Sequence, residues 1–126
     1  MRLLLDTHAL VWWLTNNPRL SSTARAAVAA PLNAVYVSSC SGYEIAYKHH
    51  RGRLAVALPY PLADLVRRQR FAALPITLEH AEAAGRLPGP HRDPWDRLLI
   101  AQAQIEALAI VTVDQVFASY GISVLW

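Results

Sequence analysis

Four of the nine acidic residues in this 126-residue chain, Asp6, Glu44, Asp96 and Asp114, fall where carboxylates do chemistry. Asp6 ends the apolar run Arg2–Leu5, Glu44 follows a serine-rich stretch, Asp96 stands in the DPWD segment that opens a long apolar-periodic stretch, and Asp114 ends the run 109–113. Each has a plain structural use when taken singly. Asp6 suits a helix cap, Asp114 a turn and Asp96 a first helical turn, uses worth about 0.3–1 kcal/mol each. Glu44 lies four residues before Lys48, a spacing for an ion pair worth about 0.2–0.5 kcal/mol. Taken together they pose a different problem, because carboxylates about 4 Å apart repel by roughly 4 kcal/mol per pair at an effective dielectric near 20. A cluster of four calls for a cation. Oxygen ligands, without accompanying cysteines or evenly spaced histidines, suit Mg²⁺ or Mn²⁺ rather than zinc. Ions held this way polarise a phosphodiester, lower the pKa of a bound water and neutralise the leaving oxygen. The expected chemistry is therefore phosphodiester hydrolysis.

The elements that must position these acids can be read in order. A strand over Arg2–Leu5 is followed by a helix through Leu14, with Thr7 as the expected N-cap. Asn16, Asn17 and Pro18 break it, and Ser21 or Ser22 caps an alanine-rich helix that runs to about Ala30 before Pro31. Ala34–Val37 is β-branched and aromatic, hence a second strand, and Ser38, Ser39 and Ser41 offer caps for a helix carrying Glu44 to near Gly52. Pro59 and Pro61 open a helix through about Phe71, Ile76–Leu78 reads as a small strand or a connector, and a short helix covers 80–87. After a loop at 87–91 the DPWD stretch starts a helix through about Leu108, with Asp96 in its first turn. A strand over 109–113, a helical turn over 116–120 and a last strand over 122–125 complete the chain. Strands alternating with helices imply an α/β fold with a parallel sheet covered on both faces, and ligands in such folds bind beyond the carboxyl ends of the strands.

Bulk properties agree with one domain over residues 1–126 that has a substantial core: 54% of residues are hydrophobic and 17% charged. No apolar run approaches the eighteen or so residues of a membrane span, and Asp6 interrupts what would be the apolar part of a signal peptide. A cytoplasmic location is expected. The single Cys40 excludes an internal disulfide and reads as a small buried apolar residue. A net charge of +3 is compatible with a polyanionic partner without demanding one.

The chain resembles the PIN-domain ribonucleases and, within them, the VapC-like toxins of bacterial toxin-antitoxin pairs. The likeness rests on LLLDTHALVWWL at 3–14, SGYEIAYKHHRGRL at 41–54, HRDPWDRLLIAQAQ at 91–104 and IVTVDQVFASYGISVL at 110–125, in that order and spacing. It implies a three-layer α/β/α fold, a Mg²⁺- or Mn²⁺-dependent endoribonuclease, a homodimer, and a small cognate antitoxin that blocks the site. Asp6, Glu44, Asp96 and Asp114 match the family's metal-binding acids. Tyr43 stands where similar sequences usually carry tryptophan, with Gly42 before it. Thr112 and Val113 precede the last acid where a polar or charged neighbour is common, which predicts a missing supporting contact at Asp114.

Several residues have secondary claims. Asp93 is the rival of Asp96, Thr7 is a supporting residue able to reach a bound water or phosphate, and Thr112 is another supporting residue. Lys48, Arg51 and Arg53 at the end of the Glu44 helix are candidates for RNA contact, as are Arg67, Arg68 and Arg70. Trp12 and Trp13 are read as packing residues. Two other classes compete: an aspartyl-phosphate phosphotransfer protein, against which stands His8 in place of a second aspartate, and a non-catalytic RNA-binding PIN module.

Overall fold

The computed structural model describes residues 1–54, 57–59, 61–89, 91 and 93–126. Five strands, β1 (Arg2–Leu5), β2 (Ala34–Ser38), β3 (Ala72–Leu74), β4 (Ala109–Val111) and β5 (Val124–Leu125), form one parallel sheet in the order β3-β2-β1-β4-β5. The helices between them are α1 (Thr7–Leu14), α2 (Ser22–Ala29), α3 (Ser39–His50), α4 (Leu62–Arg68), α5 (Leu78–Arg86) and α6 (Pro94–Glu106), and a 3₁₀ turn spans Gln115–Tyr120.

Leu3, Leu4 and Leu5 are fully buried because β1 is the central strand and both its faces are covered. Alternation along the strand separates two cores. Leu3 and Leu5 join Leu10, Val28, Val37, Ile45 and Val66 on the face covered by α1–α4, while Leu4 joins Leu99, Ile100, Ile110 and Phe117 beneath α6. The result is the three-layer α/β/α arrangement expected from the alternating elements. Trp12 and Trp13 pack against the first core, and Trp13 Nε1 donates to Gln69 Oε1 at 2.9 Å. No helix among the described residues is long and apolar enough to cross a membrane.

Several boundaries differ from the sequence reading: β4 ends at Val111 rather than 113, β5 begins at Val124 rather than 122, and α5 spans Leu78–Arg86 rather than 80–87. The strand after α4 lies at Ala72–Leu74, and Ile76 is part of a connector into α5. Two alanines carry no strand signal of their own; pairing with Tyr36–Ser38 of β2 makes this segment a strand. Consequently α4 stops at Arg68, short of Phe71. The long helix α6 ends at Glu106, where Ala107 adopts a left-handed conformation with φ of 54° that turns the chain into β4. The loop expected over 87–91 includes Pro90, which lies outside the described residues.

Strand order decides where a site can form. From β1 the chain builds outward to β2 and β3, then crosses to β4 and β5 on the other side of β1. The crevice beyond the carboxyl ends of β1 and β4 is therefore the topological switch point, the usual ligand position in open α/β sheets.

Candidate functional site

Asp6 leaves β1 at this switch point and is 5% exposed. Its Oδ1 accepts from the Ala9 backbone N–H at 2.7 Å, so Asp6, rather than Thr7, caps α1. Its Oδ2 accepts from Thr112 Oγ1, just past β4. Thr112 also accepts from the Asp114 backbone N–H at 3.0 Å. Thr112 thus holds the Asp114 main chain, a contact distinct from the side-chain support expected to be missing there. Asp114 itself is exposed and caps the 3₁₀ turn through the Val116 N–H at 3.0 Å.

Thr7, displaced from the cap, is the first residue of α1 and points across to α3. Its hydroxyl donates to Glu44 Oε1 at 2.8 Å and lies 3.0 Å from Ser41 Oγ. Glu44 is 7% exposed, and its other oxygen pairs with Lys48 Nζ at 2.5 Å. The i,i+4 pair suggested by spacing is real, and it occupies one of the expected RNA-contacting cations.

Asp93 and Asp96 divide their roles cleanly. Asp93 caps α6, its Oδ1 accepting from the Trp95 N–H at 2.9 Å and the Asp96 N–H at 3.4 Å. Asp96 is thereby left free of cap duty, and its Oδ2 meets His91 Nε2 at 2.8 Å. Sequence reasoning missed His91; its position five residues ahead of Asp96, before the proline that opens α6, was the available signal.

Burial pushes the Asp6 carboxyl above its ordinary range against the pull of Thr112, Ala9 and His8, with the Asp114 charge adding to the rise. Burial likewise raises Asp96 against its bond to His91, and the charges of Asp93 and Asp6 reinforce it. Cys40, at the start of α3, is pushed up to about 12 by burial and then by Glu44, Asp96 and Asp93, which makes it a neutral thiol beside the acids. The fold therefore brings Asp6 into the field of Asp114, and Asp96 into that of Asp6, at one sheet edge, with Glu44 facing Thr7 from α3. Among the described residues no three acidic, histidine or cysteine side chains converge on one point. Asp96 is turned to His91 and Glu44 to Lys48. Both would have to swing away from nitrogen partners to share an ion. The donor set still fits a hard divalent cation, whose charge would offset the burial and repulsion that raise Asp6 and Asp96.

Beside the acids, Thr7, His8, Trp12, Asn17, Arg19, Lys48 and Arg53 line a cavity of about 250 Å³. Arg51 lies elsewhere, its guanidinium 5.4 Å from the Tyr47 ring centre. Arg67 pairs with Asp64 on its own helix.

The sequence pattern of the PIN domain matches residues 3–122, which is nearly the whole chain and includes all four acids. The chain belongs to the PIN domain family. This PIN domain is 32% identical over 123 residues to Ribonuclease VapC22 of Mycobacterium tuberculosis, covering 93% of this chain and 90% of that protein. Its fold is similar to that in the crystal structure of VapBC2 from Rickettsia felis bound to a promoter DNA fragment, with a TM-score of 0.69, 16% identity, and coverage of 98% and 97% of the two chains. A toxin-antitoxin complex from Klebsiella pneumoniae is also similar, with a TM-score of 0.60, 20% identity, and coverage of 90% and 87%.

Proposed function

We propose that this PIN domain is an endoribonuclease dependent on Mg²⁺ or Mn²⁺ and the toxin of a toxin-antitoxin pair, acting in the cytoplasm as a homodimer restrained by a small antitoxin. The observation that carries the reading is the gathering of acids at the switch point: buried Asp6 is held by the Thr112 hydroxyl that also takes the Asp114 N–H, and Asp96 opens α6 beside them. An edge of this kind is costly without a cation and useful with one. The name of its relative, a ribonuclease, supports RNA as the substrate, and the toxin-antitoxin complex of similar fold supports the partner.

In this reading Asp6, Glu44, Asp96 and Asp114 hold the ion. When bound, the ion supplies charge neutralisation at the phosphodiester and lowers the pKa of the attacking water. Thr112 fixes one oxygen of Asp6 while the Ala9 N–H fixes the other, so this ligand is oriented before anything binds. Thr7 does the same for Glu44 and also lines the adjoining cavity. Arg53 on that wall attracts the RNA backbone, and Lys48 joins it once Glu44 turns from it to the ion.

The deciding experiment is cleavage of a structured RNA by purified protein. Activity with Mg²⁺ or Mn²⁺, loss with EDTA, and near-complete loss in Asp6→Asn and Asp96→Asn are expected. Undiminished cleavage in both variants, in preparations free of contaminating nuclease, would overturn the proposal. Growth arrest on expressing this chain alone, relieved by co-expressing the neighbouring small gene, tests the toxin assignment; normal growth with abundant soluble protein counts against it.

A further inference from the structure

On the α6 side of the acids, Trp95, Tyr43 and Tyr47 form a continuous series of rings. The Tyr43 ring centre lies 5.1 Å from that of Trp95, and Tyr43 and Tyr47 are stacked at 5.9 Å with planes 17° apart. Arg51 extends the series with its guanidinium over the Tyr47 ring. Tyr43 and Tyr47 share one stripe of α3, the C-cap residue Arg51 follows them four residues on, and Trp95 joins them from the first turn of α6. A helix-stabilising pair would account for Tyr43 and Tyr47 alone. Both rings stay open to solvent, 59% and 42% exposed, and the pair does not account for a ladder that bridges two helices.

The ladder spans the two helices that carry Glu44 and Asp96. Trp95 directly precedes Asp96, and Tyr43 directly precedes Glu44. From Trp95, in the same helical turn as Asp96, the ladder runs along α3 into a stretch of Lys48, His49, His50, Arg51 and Arg53 that contains no acid.

We infer that Trp95, Tyr43 and Tyr47 are a stacking platform for the unpaired bases of a single-stranded RNA segment, with Arg51 at its outer end and the scissile phosphate at the acids. The inference deepens the nuclease reading and rests on it. Exposed rings in series accept bases of any sequence, because every base has a π-face, and a neighbouring arginine adds a cation for face and phosphate alike. A second copy of this chain is the rival occupant, since an exposed aromatic stripe also suits a subunit contact. Charge decides against it: a two-fold contact would bring two copies of the basic stretch that holds Arg51 and Arg53 to one interface with no acid in that stretch to offset them. A polyanion neutralises the same charges.

The test is binding of a short 2′-O-methyl oligoribonucleotide, which resists cleavage, carrying 2-aminopurine at successive positions and titrated without divalent metal. Wild type should quench the 2-aminopurine fluorescence at two or three neighbouring positions. Tyr43→Ala and Tyr47→Ala should each weaken binding by roughly tenfold to a hundredfold and remove quenching at one position. Tyr43→Phe and Tyr47→Phe should retain both, because the ring and not the hydroxyl is used. Unchanged affinity and quenching in the alanine variants, with native circular dichroism, would overturn the inference. So would sedimentation showing that these variants split a dimer while binding the oligonucleotide as wild type does. Because binding is read without metal, the two ideas fail separately: a ladder that binds in a chain unable to cleave RNA removes only the nuclease proposal, and intact metal-dependent cleavage with an inert ladder removes only this one.

Discussion

Thr112 Oγ1 donates a hydrogen bond to Asp6 Oδ2, joining the residues that follow β4 and β1 across 106 positions of sequence. Both are buried, so the bond is made in a low-dielectric crevice, where a lost partner is expensive. Thr112 also receives the Asp114 N–H, so one hydroxyl organises two of the four acids.

Thr112→Val keeps the shape and removes the hydroxyl. The variant should lose about 1.5–3 kcal/mol of stability, the usual worth of a hydrogen bond to a charged group, and should bind Mg²⁺ more weakly. Urea unfolding and a magnesium titration check this. Unchanged stability together with unchanged activity would show that the bond has no such role.

Asp93 and Asp96 should separate by function. Asp93→Asn keeps a side chain able to cap α6 and should retain most activity, whereas Asp93→Ala should cost about 1 kcal/mol in stability. Asp96→Asn should abolish cleavage with the fold intact. Single-turnover assays beside thermal melts measure both, and inactivity in Asp93→Asn with full activity in Asp96→Asn would reverse the assignment.

Acid should stabilise the metal-free protein through Asp6 and Asp96. Both carboxyls lie above their ordinary value of 3.8 in the fold, chiefly through burial. A group that holds its proton more tightly when folded contributes stability that is fully present below 3.8 and is lost as pH rises through the raised folded value. In EDTA, Asp96→Asn should accordingly melt higher than wild type at neutral pH and show a weaker dependence on pH in the acid range. Mg²⁺ should then raise the melting temperature of wild type more than that of the variant. A variant that melts lower in EDTA and responds to Mg²⁺ as strongly as wild type would make Asp96 an ordinary structural acid.

Cys40 should resist alkylation in the folded state. Its thiol is pushed up to about 12, and almost none is thiolate near neutrality. Iodoacetamide at pH 8, followed by mass spectrometry, should modify it at least tenfold more slowly than in urea. Equal rates would show that the thiol is accessible and ordinary.

The sequence by itself determined the alternation of strands and helices, the placing of Asp6 and Asp114 just beyond apolar strands, and the position of Asp96 in the first turn of α6. These are local properties: hydrophobic runs, caps and breakers act within a few residues, so they are legible along the chain. The i,i+4 pairing of Glu44 with Lys48 was legible for the same reason. Tertiary structure decided the rest. Ala72–Leu74 is a strand only because β2 lies beside it, and Thr7 became a partner of Glu44 because Asp6 took the cap. The bond from Thr112 to Asp6 and the stacking of Tyr43 on Trp95 both depend on packing between elements far apart in sequence. Strand order β3-β2-β1-β4-β5 is what sets β4 against β1 and creates the crevice. That order is a non-local choice made by burying both faces of β1, and no window of the sequence contains it.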